Sequence, residues 1–316
     1  MMSALQAHDP VFPRERKAAQ FAPPRSTYKQ GLNAPYFSAV INIEAGGLSL
    51  NKRRCIAELL GTIEGLAPER IQYVDGASLT RTLHNLAALR PDAVIVCGGD
   101  GTARTAIETL TPLGVATVPL PGGTLNRLVS AVFGHSRTDE IIARIAEGAP
   151  SFIPAGVVNG HRFFVVSGYG APMRLNGVRE HIRAGRWADA MGAWRSATKD
   201  MFGPSLQIGR FGLQVSCAIV ALGPIDAAFG LRAPSSRGDF EAASVLWSGW
   251  SSALALAPFA LMGGWRNCPR VVAGPARAVA LQGLGEGIPA LLDGEPFLLP
   301  REAVITYEDR AGLVWR

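Results

Sequence analysis

The sequence predicts an α/β protein in two parts, a doubly wound parallel sheet followed by a mainly antiparallel β region. Three observations carry that expectation. Short β-rich runs alternate with helical periodicity from Ser38 to Glu147, which is the pattern of a parallel sheet with helices on both faces. Near Pro150 the period changes to strand, turn, strand. Glycine-rich loops follow directly on two of the predicted parallel strands, where open α/β sheets place their ligands.

Taken in order, Ala39–Ile41 reads as the first strand, and after Asn42, Gly46 and Gly47 a helix carries Ile56, Leu59, Leu60 and Ile63 at helical spacing, ended by Gly65 and Pro68. Ile71–Val74 is a second strand, and Leu79, Leu83 and Leu86 mark a second helix. Ala93–Cys97 is a continuous apolar run of the kind found in a central parallel strand, and Val115–Val118 is the fourth. Helices around Leu125–Val132 and Asp139–Glu147 complete this part.

Phe152–Val158, Asn159-Gly160 and Arg162–Val166 then form a strand, a type I′ turn signal and a strand. Leu213–Leu222, Ala278–Leu281, Ala290–Leu292 and Val304–Tyr307 are further strands with few helices between them. The expected domains are a disordered tail over 1–34, an α/β domain over 35–150, a β-rich domain over 151–300 and a C-terminal segment over 301–316. The uncharged stretch Ala242–Trp265 is long enough to span a bilayer. Its four serines, three glycines and Pro258 favour a buried or interface-facing helix instead, with Trp247, Trp250 and Trp265 leaving room for a peripheral membrane contact.

Composition narrows the class. With 48% hydrophobic and 18% charged residues and a mean hydropathy of +0.17, the chain is too apolar to be disordered and too polar for a multi-span membrane protein. The net charge of +6 is spread thinly. Five basic residues against two acidic ones in 1–34 account for half of it, so the body lacks the dense basic stripe of a nucleic-acid binder. Cys55, Cys97, Cys217 and Cys268 form no CxxC pair, and His84, His135, His161 and His181 have no ligand spacing. The first 30 residues carry four prolines and no apolar h-region, so a cytoplasmic location is expected.

The chemistry resides in three segments. Gly98-Gly99-Asp100-Gly101-Thr102 lies between a buried strand and a helix, where glycine lets backbone N–H groups approach phosphate oxygens and the helix N-terminus favours an anion. Pro119-Leu120-Pro121-Gly122-Gly123-Thr124-Leu125-Asn126 follows the next strand in the same way, so both loops meet at one sheet edge. The third is Leu292-Asp293-Gly294-Glu295, by itself a hairpin turn. No P-loop motif, HExxH or GxSxG is present.

GGDGT, then PGGTxN, then LDGE resembles the diacylglycerol kinase catalytic-domain family, which includes soluble bacterial lipid kinases and is related to sphingosine kinases. The resemblance covers most of residues 36–316 and implies the fold shared by NAD kinases and diacylglycerol kinases. In that fold a nucleotide-binding α/β domain precedes a β-rich lipid-binding domain, the active site lies in the cleft between them, and the C-terminal end can return to the first domain. Carried over, Asn42 stands near the nucleotide, Gly98, Gly99, Gly101 and Thr102 hold ATP phosphates, and Gly122, Gly123, Thr124 and Asn126 hold the nucleotide. Asp100, Asp293 and Glu295 become the catalytic carboxylates, because a lipid hydroxyl must lose its proton while Mg²⁺ neutralises the transferring phosphoryl group.

Departures from the family pattern bear on activity. Ile43 replaces a proline, Ala103-Arg104-Thr105 follows GGDGT where Leu-Asn-Glu is usual, and Arg127 replaces an Asp. Arg104 and Arg127 are either solvated arginines or phosphate clamps in place of a P-loop lysine. The family's metal-binding acidic stretch is matched poorly by Gly230–Asp239, so the metal ligands stay unassigned.

The implied activity is an ATP-dependent lipid kinase with Mg²⁺, acting on a primary hydroxyl of a diacylglycerol-like lipid. A NAD kinase-like enzyme is the alternative within the fold, although no downstream Asn-Glu pair is found, and a catalytically weak lipid-binding protein is the alternative outside enzymes. The expected partners are the lipid substrate and a membrane surface met peripherally, with no nucleic acid and with a homodimer allowed. Arg174, Arg179, Arg183, Arg186, Arg195 and Lys199 with Trp187 and Trp194 could meet anionic headgroups, or form a solvated helix face.

Overall fold

The computed structural model describes residues 35–64, 66–174, 205–209, 213–228, 239–246 and 265–316. The chain divides into two units, one running to Ile153 and resuming at Asp309–Arg316, the other spanning Pro154–Glu308. The first has a buried cluster on each face of its sheet, and the second has its own core.

The first unit is a parallel sheet covered on both faces. Strands β1 (Phe37–Asn42), β2 (Ile71–Val74), β3 (Ala93–Gly98) and β4 (Ala116–Pro121) run in the order β2-β1-β3-β4, and the end of the chain's last strand adds to β4 in parallel through Val314 and Thr117. β1, β3 and β4 are buried along their whole length, which is why they read as unbroken apolar runs rather than alternating ones. Alternate residues serve opposite faces. Phe37, Ala39, Ile41, Ile95 and Val118 pack with Ile56 and Leu60 of α1 (Leu50–Leu60), and Val40, Val94 and Val96 pack with Leu79, Leu83 and Leu86 of α2 (Leu79–Ala88) and Ala106 and Leu110 of α3 (Asp100–Leu110). Two short helices follow, α4 (Arg127–Phe133) and α5 (Thr138–Ala143).

Several boundaries differ from the sequence expectation. α1 stops at Leu60, capped by Gly61, so Ile63 packs from the turn beyond the helix. The helix expected over Asp139–Glu147 breaks at Arg144 into α5 and a 3-10 turn, Ile145–Glu147. The Ile145 carbonyl accepts both the Gly148 N–H that closes this turn, at 3.3 Å, and the buried indole of Trp315, at 2.8 Å.

The second unit is antiparallel. Strand β5 (Pro150–Val158), which enters from the first unit, turns at Asn159-Gly160 into β6 (His161–Phe163), and φ of 48° and 83° at the two turn residues fits the type I′ expectation. Next come β7 (Val166–Gly170), β8 (Leu206–Ile208), β9 (Leu213–Val215), β10 (Cys217–Leu222), the single-turn helix α6 (Ile225–Ala228) and β11 (Phe240–Val245). β12 (Val271–Ala276), β13 (Ala278–Gly283), β14 (Ile288–Leu292), β15 (Glu295–Leu299) and β16 (Glu302–Trp315) complete the chain. One sheet has the order β12-β11-β10-β7-β14-β15, and within the unit β16, β13, β8 and β9 pair in sequence. Val158, Phe163, Tyr169, Val220, Phe240, Leu292 and Ile305 are among the side chains that form its core.

Three expectations change here. The strand expected over Leu213–Leu222 is two strands: Ser216 breaks it by donating its N–H to the Val245 carbonyl at 3.1 Å, so that β9 pairs with β8 while β10 lies between β7 and β11. The strand expected over Arg162–Val166 stops at Phe163, for a reason given below. In the stretch Ala242–Trp265, residues Ala242–Val245 are strand rather than helix, because β11 is hydrogen-bonded on both sides by β10 and β12; residues 247–264 lie outside the described residues. No helix among the described residues is long and apolar enough to cross a membrane. Arg174 closes a 3-10 turn, Ala171–Arg174, and the rest of the expected basic segment lies outside the described residues, as does 1–34.

Candidate active site

At the carboxyl ends of β1, β3 and β4 three loops meet backbone to backbone. The N–H of Gly122 donates to the Gly98 carbonyl at 2.8 Å, and the N–H of Gly47 donates to the Gly122 carbonyl at 3.1 Å. No side chain would fit at these contacts. A Cβ on Gly122 would stand 2.9 Å from the Gly98 Cα, one on Gly123 2.7 Å from the Gly99 Cα, and one on Gly47 2.4 Å from the Gly123 carbonyl oxygen. Gly47, Gly122 and Gly123 are therefore required for loop-to-loop packing, in addition to any backbone approach to a ligand, whereas a Cβ on Gly99 would meet the Gly123 Cα at an ordinary 3.7 Å.

Polar side chains fix the loops in place. The Asn42 amide donates to the Thr102 hydroxyl at 2.9 Å, while its oxygen accepts the N–H of Glu44 at 2.9 Å. Asn126 closes its own loop, accepting from the Gly123 N–H at 2.8 Å and donating to the Gly123 carbonyl at 3.1 Å, with φ of 49°. Asp100, the first residue of α3, accepts the N–H of Leu128, the second residue of α4, through Oδ1 at 2.9 Å. Nothing among the described residues bonds its Oδ2. Thr124 is exposed in the second loop, Gly101 and Thr102 lie in the first turn of α3, and Arg104 and Arg127 are half-buried and engaged within the protein.

The sequence reading missed two supports and one cation. Arg53 reaches back from α1 to the carbonyls of Leu48, at 3.1 Å, and Ile43, bracing the loop in which a proline is missing. Glu44 accepts the N–H of Gly76 at 2.8 Å. Burial pushes the Cys97 thiol up to about 12, offset only in part by the positive charge of Lys52, which places a lysine within electrostatic reach of the end of β3. Spacing alone carries none of these signals. Beside the loop that follows β1 lies an open hollow of about 600 Å³, lined by Ile43, Leu50, Arg53, Ala57 and Tyr73 among others. Tyr73 and Leu50 are 55% and 78% exposed, so their apolar faces are available to a ligand.

In the second unit, Asp293 and Glu295 prove to be different kinds of carboxylate. Asp293 accepts three backbone N–H groups, from Phe164 at 2.6 Å and from Val165 and Val166 at 2.9 and 3.0 Å. This is why the strand from Arg162 ends at Phe163: the next residues donate to a carboxylate instead of a neighbouring strand. Asp293 itself sits at φ of 50° in the turn between β14 and β15. Glu295, two residues on, is exposed, and no hydrogen bond among the described residues engages its carboxylate. Of the expected metal-binding stretch Gly230–Asp239, only Asp239 lies within the described residues.

Residues 39–160 match the family model of the diacylglycerol kinase catalytic domain. No curated protein matches the chain. Solved structures from Bacillus anthracis str. Sterne share the fold. One, described as a proposed diacylglycerol kinase, is 17% identical with a TM-score of 0.65 over 90% of this chain and 98% of that one. A second, described as a diacylglycerol kinase, is 14% identical with a TM-score of 0.60 over 90% and 97% of the two chains. The family match over residues 39–160 supports a lipid kinase, and the solved structures share its fold.

Proposed function

We propose that this lipid kinase transfers the γ-phosphate of ATP to a primary hydroxyl of a lipid, most simply diacylglycerol. The observation that supports it best is the interlock of Gly98-Gly99 with Gly122-Gly123 at the carboxyl end of a parallel sheet, beside the N-terminus of α3. Backbone N–H groups and a helix N-terminus suit phosphate oxygens. The hollow beside Ile43 takes the purine, with Tyr73 under its face.

No group of three or more His, Cys, Asp or Glu side chains that could hold a metal occurs among the described residues. A divalent cation carried chiefly by the phosphates of the nucleotide would have Asp100 Oδ2 as a protein oxygen for it or its waters. Bound there, Mg²⁺ supplies charge neutralisation on the phosphates.

Glu295 is the proton acceptor, because its carboxylate is uncommitted where that of Asp293 is engaged by the backbone. As the lipid oxygen bonds to the γ-phosphorus, its proton passes to Glu295. The bond from that phosphorus to the bridging oxygen breaks, and ADP leaves with the electron pair. The chain works in the cytoplasm and meets the membrane peripherally, in line with its basic residues Arg174, Arg179, Arg183 and Arg186.

A panel of lipids and NAD with γ-labelled ATP and Mg²⁺ tests this reading. Labelled phosphatidic acid from diacylglycerol supports it. Labelled NADP points to the NAD kinase alternative, and no transfer at all overturns the enzyme assignment.

A further inference from the structure

Two carboxylates of the second unit converge on one guanidinium. Asp226 lies on α6, Glu241 on β11, and Arg266 in the 3-10 turn Trp265–Asn267 that leads into β12. Arg266 donates from Nη2 to both oxygens of Glu241 at 2.7 and 2.8 Å, from Nε to Glu241 Oε1 at 3.0 Å, and from Nη1 to Asp226 Oδ2. The remaining contacts complete the set. The Trp265 indole donates to Asp226 Oδ1 at 2.7 Å, the Ile225 N–H donates to Glu241 Oε2 at 2.6 Å, and the guanidinium lies 4.2 Å from the centre of the Trp265 ring.

All four carboxylate oxygens thus accept hydrogen bonds, and the Asp226 and Glu241 side chains are only 10% and 12% exposed. Two carboxylates this close and this buried require a cation, since each alone would be an uncompensated buried charge. Hard divalent ions meet that need with oxygen ligands, whereas here a planar guanidinium meets it with a fork of N–H donors.

We propose that Arg266 is a built-in counter-cation, filling the seat between Asp226 and Glu241 that a divalent metal would otherwise have to fill, so that the second unit folds without metal. It follows that a divalent-cation requirement of the protein lies with the nucleotide. That consequence rests on the function proposed above; the seat itself does not.

The test is thermal melting of the full chain without nucleotide, in EDTA and in millimolar Mg²⁺ or Ca²⁺ at matched ionic strength. The wild-type midpoint should be the same in EDTA and in Mg²⁺. Arg266→Met should melt roughly 10 °C lower in EDTA, as expected for a buried ion cluster deprived of one partner. Divalent ions, but not equivalent NaCl, should then raise its midpoint saturably. The triple variant Asp226→Asn, Glu241→Gln, Arg266→Met should fold and ignore metal, which assigns the response to this seat. If Arg266→Met gives no folded protein, Arg266→Lys decides: it should fold and be indifferent to EDTA, since any fixed cation fills the seat. Wild-type protein that loses stability in EDTA, an Arg266→Met variant that recovers no better in Mg²⁺ than in NaCl, or an EDTA-sensitive lysine variant overturns the proposal. Failure of the lipid kinase reading would show as absent phosphate transfer and would leave these midpoints unchanged.

Discussion

Gly98 and Gly122 touch through their backbones, the N–H of Gly122 lying 2.8 Å from the Gly98 carbonyl oxygen. A methyl group at position 122 would meet the Gly98 Cα and N at 2.9 Å, and these backbone atoms cannot rotate away as a side chain could. Gly122→Ala must therefore push the two loops apart, at a cost of about 1–3 kcal/mol by analogy with overpacked cores. The expected outcome is a lower melting temperature together with ATP affinity weakened at least about tenfold, measured by calorimetry. Unchanged ATP binding would mean that the interlock is not part of the nucleotide site.

Asp293 and Glu295 should separate cleanly on mutation. Asp293→Ala leaves the N–H groups of Phe164, Val165 and Val166 without their acceptor, so it should cost about 3 kcal/mol in denaturant unfolding. Glu295→Gln touches an exposed side chain and should change stability by no more than about 0.5 kcal/mol. Its turnover should nevertheless fall at least about a hundredfold, since the proton acceptor is gone. Normal stability of the alanine variant, or normal turnover of the glutamine variant, would reverse the assignment.

Tyr73 stands 55% exposed at the edge of the hollow beside Ile43. Replacing it with alanine removes an aromatic face worth about 1 kcal/mol to a stacked base. KM for ATP should rise about fivefold with kcat unchanged. A fall in kcat at constant KM would place the purine elsewhere.

Thiol chemistry offers an independent check on the packing. Cys55 is exposed, whereas burial holds the Cys97 thiol at about 12 and raises that of Cys217 as well. At pH 8 these buried sulfurs stay protonated, and only a thiolate attacks a disulfide reagent. Native protein should react quickly at Cys55 alone and at all four cysteines in denaturant, as counted by absorbance. Fast modification of Cys97 in native protein would show that β3 is less well packed than described.

The parallel half of the protein was legible because its strands are buried on both faces: Ala93–Cys97 can hardly be read otherwise, and the glycines that follow mark the loop. The hairpin at Asn159-Gly160 was legible for a similar reason, since a type I′ turn demands φ above zero at two successive residues. Less was visible where a long-range partner decides the local structure. Phe164 and Val165 look like strand, and only the Asp293 carboxylate, more than 120 positions away, takes their N–H groups. Ser216 breaks an apolar run because Val245 accepts its N–H. The site was read in the same uneven way. Its two glycine loops are visible in the sequence as loops that follow buried strands, while the braces Arg53 and Glu44 are ordinary charged residues until the fold brings carbonyl and amide groups to them. The Asp226, Glu241 and Arg266 cluster likewise has no spacing that sequence could reveal.

Strand β16 begins in one unit and ends in the other, and this has a consequence for the order in which the protein is made. A ribosome emits the chain from its N-terminus, and units ordinarily fold as they emerge. Here the first sheet to appear is the last to be completed, because Leu313, Val314 and Trp315, all buried in it, are translated only after the whole of Pro154–Glu308. Until then the flank of β4 and the pocket that receives the Trp315 indole stay open to water, and a nascent chain must guard an exposed parallel strand edge while its second half is still being synthesised.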